Sequence, residues 1–250
     1  MTGLQLSDWV LLVVAPFIAS FLGVVIRRLP EGRPLVWARS GCEACGTTLA
    51  PSDLVPLVSW VMLGRRCRYC GHELSWFYPG VELAALVVAI IAIGVDGSER
   101  AWLDCLLGWW LLTLGWIDLR HWLLPDLLTL PLLATGLGVT AAFDVEDLAD
   151  HAVGAVVGYL GLLAAAEAYR LFRGRKALGA GDAKLLGAAG AWLGVAALPQ
   201  VVLLAALTAL AAAAGLSLAG IRLHAPSALP FGAFLALAIW SVWLFGPVPL

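Results

Sequence analysis

The chain has 250 residues, of which 62% are hydrophobic and only 13% charged; its formal net charge is −2 and its mean hydropathy +0.93. A soluble domain of this size is nearer half apolar and a quarter charged, so the composition excludes an ordinary soluble globule and describes a polytopic membrane protein. A net charge so near zero selects no partner by itself: the expected surroundings are a lipid bilayer, and no nucleic-acid partner is expected.

The first apolar run, Trp9 to Ile26, ends in Arg27-Arg28 without a small-residue cleavage site. It reads as a retained spanning helix rather than a removed signal peptide. Residues 28–78 differ in kind. They hold Gly, Pro and all but one of the cysteines, and read as a small extramembrane insertion. A spanning helix needs about 20 mostly apolar residues, which gives candidate spans at roughly 8–27, 79–95, 101–118, 126–143, 151–172, 182–198, 200–220 and 229–248. The sixth and seventh are separated only by the turn at Pro199-Gln200. The twelve Trp suit membrane interfaces, where the ring is half in lipid and half wet. The expected fold class is therefore an all-α polytopic membrane protein of about eight transmembrane helices with a zinc-ribbon-like insertion. It divides into a first helix (1–27), a four-cysteine zinc-binding insertion (28–78) and a seven-helix membrane core (79–250).

Orientation follows from Lys and Arg placement. With eight spans, the cationic positions at 27–39, 65–68, 120, 170–176, 184 and 222 all fall on one side, and only Arg100 falls on the other. That other side carries Asp96, Glu99, Asp144, Glu146, Asp147 and Asp150. The basic side is read as cytoplasmic, so the 28–78 insertion faces the cytoplasm and both termini lie outside. The segment Arg170 to Lys176 is read as a topology signal.

The insertion contains Cys42-Glu43-Ala44-Cys45-Gly46 and Cys67-Arg68-Tyr69-Cys70-Gly71. The spacing is close to that of a zinc ribbon. Four thiolates can wrap one tetrahedral Zn2+, with the glycines turning the chain behind each pair. Disulfides are disfavoured in a reducing cytoplasm. Cys42, Cys45, Cys67 and Cys70 are thus candidate ligands of a structural Zn2+, since four cysteines leave no open position for water. His72 is read as a surface histidine and Cys105 as a small core residue.

Three aspartates fall at one depth on the cytoplasmic side. Asp118 ends the third span, Asp126 begins the fourth and Asp182 begins the sixth. A carboxylate at a membrane edge is costly and functional by default. Helices three and six can bring Asp118 and Asp182 together, and two carboxylates in one site share a proton. The ionised partner draws a proton from water while the protonated one bonds the scissile carbonyl. Gly179 and Gly181 leave the backbone free to turn sharply and admit a peptide. Asp126 reads as a helix N-cap, and a cap is also the structural alternative for Asp182. Asp118 sits at a helix C-terminus, where the dipole disfavours an anion. Lys184 is expected to snorkel toward headgroups. Glu82 and Glu167 fall within spans and carry no assigned role.

Several stretches together resemble the prepilin leader peptidases of bacterial type IV pilus and type II secretion systems. They are Ser20 to Pro30, the paired Cys-x-x-Cys insertion, Trp76-Phe77-Tyr78-Pro79 to Glu82, Ile117-Asp118-Leu119-Arg120 to Leu124-Pro125-Asp126, Gly179-Ala180-Gly181-Asp182-Ala183-Lys184-Leu185 and Pro230-Phe231-Gly232. The resemblance covers nearly the whole chain. It implies a multi-pass enzyme of the bacterial inner membrane, with Asp118 and Asp182 as the catalytic dyad of an aspartic peptidase. The implied partners are prepilin or pseudopilin precursors, cut on the cytoplasmic side. Many members with the cysteine insertion also methylate the new N-terminus using S-adenosylmethionine. This chain has Gly23 where the family usually has Asn, and Glu43 where it often has Pro. Two other readings compete: a presenilin-like intramembrane protease, which shares Gly-x-Gly-Asp, and a non-enzymatic transporter or assembly scaffold.

Overall fold

The structure is a computed structural model that describes residues 5–35, 39–97, 100–174, 179–220 and 229–247. Arg175, Lys176, Arg222 and Glu99, which enter the charge argument above, lie outside the described residues. Among the described residues the regular structure is helical, without named strands. The helices are α1 (Leu6–Arg28), α2 (Val58–Met62), α3 (Phe77–Asp96), α4 (Ala101–His121), α5 (Asp126–Phe143), α6 (Leu148–Arg173), α7 (Ala180–Leu193), α8 (Leu198–Leu218) and α9 (Phe231–Phe245).

A helix lies over each of the eight apolar segments, with the small α2 inside the insertion. Among the described residues five helices are long and apolar enough to cross a membrane: Leu6–Arg28, Phe77–Val95, Asp126–Phe143, Val145–Arg173 and Leu198–Leu218. Phe231–Phe245 is apolar but shorter. Phe17, Phe21, Leu160, Leu203 and Leu210 are each more than half exposed, a pattern that suits lipid and not water. With several such helices, this is a multi-pass membrane protein.

The chain falls into two compact units, Met1–Trp109 and Trp110–Leu250. In the first, α1 packs along α3, and the Trp109 indole N–H donates to the Ala85 carbonyl at 3.0 Å. In the second, α7 is the central helix, packed against α5, α6, α8 and α9. From Asp182 to Trp192 every residue of α7 but Lys184 is buried. Such a helix shows no polar face, which is why hydropathy alone reads it as a span. At 14 residues it is about 21 Å long at 1.5 Å per residue, against a hydrocarbon core of about 30 Å. It stops earlier than the expected 198 because Gly194 takes φ +78° and the next N–H, of Val195, donates to Asp150 Oδ2 at 3.0 Å.

Small residues set how closely α6 and α7 approach. A Cβ on Gly190 would lie 2.1 Å from the Gly154 carbonyl oxygen. This is small-residue helix packing of the kind membranes favour. Prolines and glycines punctuate the rest: α5 follows Pro125, α9 follows Pro230, and α6 ends at Gly174 in the left-handed conformation.

Candidate active site and metal centre

The cysteine insertion is built from two knuckles that repeat each other bond for bond. Cys42 N–H donates to the Thr47 carbonyl at 2.9 Å, and Cys67 N–H to that of His72 at 2.8 Å. Gly46 N–H donates to the Cys42 carbonyl and Gly71 N–H to that of Cys67, both at 2.9 Å. Antiparallel bridges close each knuckle, Gly41 with Thr48 and Arg66 with Glu73. Gly46 and Gly71 both sit at positive φ, +70° and +72°, where a side chain is strained.

The four Sγ atoms of Cys42, Cys45, Cys67 and Cys70 all lie within 4.8 Å of one another. Cys42 Sγ and Cys70 Sγ are 3.8 Å apart. A tetrahedron with Zn–S bonds of about 2.3 Å has edges of about 3.8 Å, so the cluster fits one metal ion. The thiols are already differentiated. The Thr47 hydroxyl, 3.3 Å from Cys45 Sγ, and then the Thr47 backbone hold Cys45 down at about 6. The backbone N–H groups of Cys70 and then Tyr69 lower Cys67. At Cys70 the His72 backbone pulls the thiol down, yet burial and the three neighbouring sulfurs together push it up to about 12. Ionising all four is therefore opposed by mutual repulsion, which a divalent cation relieves. His72 is exposed and outside the cluster, and Cys105 is fully buried.

Above α1, the insertion is tied down by Arg27. Its Nη1 donates to the Tyr78 hydroxyl at 2.9 Å, the hydroxyl donates to Glu43 Oε1 at 2.7 Å, and Arg27 also pairs with Glu43. The guanidinium lies 4.9 Å from the Phe77 and Tyr78 ring centroids. Glu43 thus fastens the first knuckle to the helix ends, a role invisible in its sequence context. Asp53 similarly receives Arg68, with Nη2 at 2.8 Å from Oδ1.

The second unit gathers the aspartates at helix ends. Asp118, 6% exposed, lies in the last turn of α4. Its Oδ2 accepts the N–H of Ala233 at 3.0 Å, at the N-terminus of α9. The dipole of another helix therefore offsets the unfavourable one of its own. Asp182, 9% exposed, is in the first turn of α7, and its Oδ2 accepts the Gly179 N–H at 3.1 Å. The capping alternative is thus present as half of a capping box.

Leu124, 7% exposed, packs against both approaches. A Cβ on Gly181 would stand 2.9 Å from Leu124 Cβ. One on Gly232 would stand 2.8 Å from Leu124 Cδ1 and 2.9 Å from Asp118 Oδ2. The loop carrying Leu124 leaves α4 through Trp122 at φ +56°, a strained conformation for a non-glycine residue. Neither Gly179 nor Gly181 has positive φ, so the expected sharp turn is not the reason for them. Gly181 is required by contact with Leu124, and Gly179 is the exposed residue whose N–H holds Asp182.

Two expectations change. Pro125, not Asp126, is the N-cap of α5. Asp126 instead takes Lys184, whose Nζ is 2.5 Å from Oδ1, so Lys184 pairs across to α5 and does not snorkel. Glu167 is exposed and bonded to Arg170, with Nε at 2.8 Å. Glu82 is buried and accepts the Leu57 N–H at 2.8 Å. Leu124 and Gly232 are the residues that sequence reasoning left without a role, although both lie in the stretches that carried the resemblance.

Comparison with known proteins divides along similar lines. Residues 13–95 match the bacterial Peptidase A24 N-terminal domain, and residues 105–214 match the type IV leader peptidase family. A prepilin leader peptidase/N-methyltransferase of Dickeya chrysanthemi is 41% identical, over 91% of this chain and 89% of its own. Relatives of the same description from Aeromonas salmonicida and Burkholderia pseudomallei are 39% and 36% identical, over 92% and 98% of this chain and 87% of theirs. No solved structure matches.

Proposed function

The chain belongs to the type IV leader peptidase family, and from that premise we propose that this peptidase is an aspartic enzyme with Asp118 and Asp182 as its dyad. Its substrates are type IV prepilins or pseudopilins, cut between a short basic leader and the apolar helix that follows. It works at the cytoplasmic face of the bacterial inner membrane. It also methylates the new N-terminal residue, with S-adenosylmethionine as the donor. The Cys42, Cys45, Cys67 and Cys70 cluster holds a structural Zn2+. All eight helices outside the insertion, the short α7 and α9 included, cross the membrane, and the sidedness of the Lys and Arg residues supports that count. Residues 1–27, 28–78 and 79–250 then serve as first helix, cytoplasmic zinc insertion and peptidase core.

One observation carries the peptidase reading. Two buried carboxylates stand at the ends of α4 and α7, with Leu124 packed beside both Gly232, next to Asp118, and Gly181, which precedes Asp182; each accepts a backbone N–H at a helix N-terminus. Such a pair holds one shared proton. The ionised member takes a proton from water as the water oxygen attacks the scissile carbonyl carbon. The protonated member gives its proton to the carbonyl oxygen. When the tetrahedral species collapses, the C–N bond breaks and the leaving nitrogen takes up a proton. Leu124 packs beside the pair and helps exclude bulk water. The exposed backbone at Gly179 is the side from which the peptide arrives.

The test is cleavage of a prepilin precursor by the protein reconstituted in lipid vesicles. Asp118→Asn and Asp182→Asn should insert normally and lose cleavage by about 10³-fold or more, within the range of acid–base catalysis. Normal cleavage by either variant would remove that residue from the dyad. Mass spectrometry of the product locates the cut, and a cut within the apolar helix would favour the presenilin-like alternative.

A further inference from the structure

The cysteine insertion carries one short helix, α2, that shows apolar side chains to its surroundings. Val58, Val61 and Met62 are 52%, 68% and 80% exposed. Spacings of three and four residues put all three on one side of the helix. Such a group is disfavoured in water and marks a surface that meets something apolar. The chain on either side of α2 is strained. Leu57, just before it, takes φ +59°, and Arg65, soon after it, φ +61°. Non-glycine residues avoid that region, and strain of this kind persists where the surroundings fix it. Here the Leu57 N–H donates to Glu82 Oε2 at 2.8 Å. The Arg65 N–H donates to the Trp60 carbonyl at 3.0 Å, and the Trp60 ring packs on Trp76 with centroids 4.5 Å apart.

These contacts set the depth of α2 against α3, which is long and apolar enough to cross a membrane. Trp76, 64% exposed and with helical backbone angles, stands immediately before α3. Leu83, Val87 and Ile90 follow it at helical spacing on the same side, and each is more than half exposed. That row is the stripe α3 shows to lipid, and Trp76 heads it, where tryptophan rings sit at a membrane interface. Glu82 is the sixth residue of α3, about 7.5 Å along from Phe77 at 1.5 Å per residue. Bonded to Glu82 and packed on Trp76, α2 lies beside the entry of α3 into lipid, not above it. Its apolar face is thus continuous with a lipid-facing one. Positive charge accompanies it. The Arg65 guanidinium lies 5.2 Å from the Trp76 ring centroid. Arg66 is exposed and outside every ion pair among the described residues. Cations so placed complement anionic headgroups.

We propose that α2 is a foot by which the insertion stands in the bilayer. Val58, Val61 and Met62 enter the acyl boundary of the leaflet where α3 begins, Trp76 lies at headgroup level, and Arg66 meets lipid phosphates. An interfacial helix buries its apolar face by about 5–10 Å, which is the depth the Glu82 bond gives. The occupant is lipid because the patch prolongs the stripe that α3 already presents to lipid. The inference needs neither the dyad nor the methylation reading. It gives the two strained residues a purpose, since Leu57 and Arg65 hold a single turn of helix firmly enough to carry the knuckles at a fixed height over the membrane.

The experiment measures depth in the full chain reconstituted in vesicles of phosphatidylcholine with phosphatidylglycerol. A ketone-bearing amino acid at position 62 is coupled to a nitroxide, which leaves the cysteines untouched. The same label at position 90, in the exposed stripe of α3, and at position 44, exposed in the first knuckle, gives the lipid and water references. Retained cleavage of a prepilin precursor establishes that each labelled chain is folded, and position 61 carries the test if the label at 62 disturbs the fold. The label at 62 should collide severalfold more with dissolved oxygen, and severalfold less with a water-soluble nickel chelate, than the label at 44. Equal access of nickel to 62 and 44 overturns the proposal. Protection of 62 that appears only when precursor is added gives the face to the substrate's apolar helix, and also overturns it. Arg66→Gln should make the label at 62 shallower in these vesicles and leave it unchanged in phosphatidylcholine alone. The same depth as the unaltered chain in both removes Arg66 from the headgroup contact.

Discussion

The cysteine cluster and the proposed aspartate site are built in opposite ways. Each cysteine knuckle is a closed local structure, with its own bridge, its own positive-φ glycine and its own pair of backbone bonds. Two copies supply four sulfurs already spaced for one ion. The aspartate site has no such module. Asp118 comes from the end of α4, Asp182 from the start of α7, the N–H on Asp118 from the start of α9, and Leu124 from the loop before α5. A site assembled from three helix ends and a loop depends on packing throughout its unit. A modular one depends on its own few residues.

The largest effects should mark this contrast in activity. Asp118→Asn and Asp182→Asn each remove about 10³-fold or more of cleavage, while leaving the metal content of the purified protein unchanged. Loss of metal in either variant would show that the two sites are not independent. Conversely, Cys67→Ser should abolish stoichiometric zinc, because three remaining sulfurs leave the tetrahedron open. Acid should do the same in the intact protein. Metal binding requires thiolates, so affinity falls as pH falls, and even Cys45, held at about 6, is protonated below that value. Titrating zinc release against pH checks the direction; retention at low pH would exclude a site made of four thiolates.

Much of this contrast can be read in the sequence, and the unread part has a physical cause. Cys-x-x-Cys-Gly is legible because chain-local geometry determines it. The helices are legible because each buries or exposes a long apolar run, whichever neighbour it meets. What escapes is every contact made between distant segments. Lys184 and Asp126 stand 58 residues apart, and the sequence treats one as a lipid-facing cation and the other as a cap. Gly181 reads as backbone freedom, but its negative φ and its proximity to Leu124 make it a packing residue. Asp118 is anomalous on its own helix and is explained only by the N-terminus of α9.

A smaller effect follows at the glycines. Gly232→Ala would place a methyl 2.9 Å from Asp118 Oδ2 and 2.8 Å from Leu124 Cδ1. Gly181→Ala meets Leu124 Cβ at 2.9 Å. Overpacking of this kind costs about 1–3 kcal/mol, so each variant should lose roughly tenfold to a hundredfold in cleavage. Adding Leu124→Ala should restore part of the loss in Gly181→Ala, where Leu124 is the neighbour, and less in Gly232→Ala, where the carboxylate is also displaced. Equal rescue of both would mean that Leu124 alone sets the geometry and that Asp118 yields freely.

The smallest effect tests how far the assembled site depends on its surroundings. Lys184 follows Asp182 by two residues in α7 and binds Asp126 at the start of α5, so the ion pair ties the α7 N-terminus to its neighbour. Asp126 is 58% exposed and Lys184 27%. Solvent screens such a pair, and exposed pairs contribute about 0–1 kcal/mol. Asp126→Asn and Lys184→Met should therefore each cost no more than about fivefold in cleavage. The exchange Asp126→Lys with Lys184→Asp should recover activity relative to the two corresponding single changes, because each leaves like charges facing one another. A loss at Asp126→Asn as deep as at Asp118→Asn would instead put Asp126 in the chemistry itself. Recovery by the exchange confines it to holding α7, since a swapped lysine restores an ion pair and cannot act as a carboxylate.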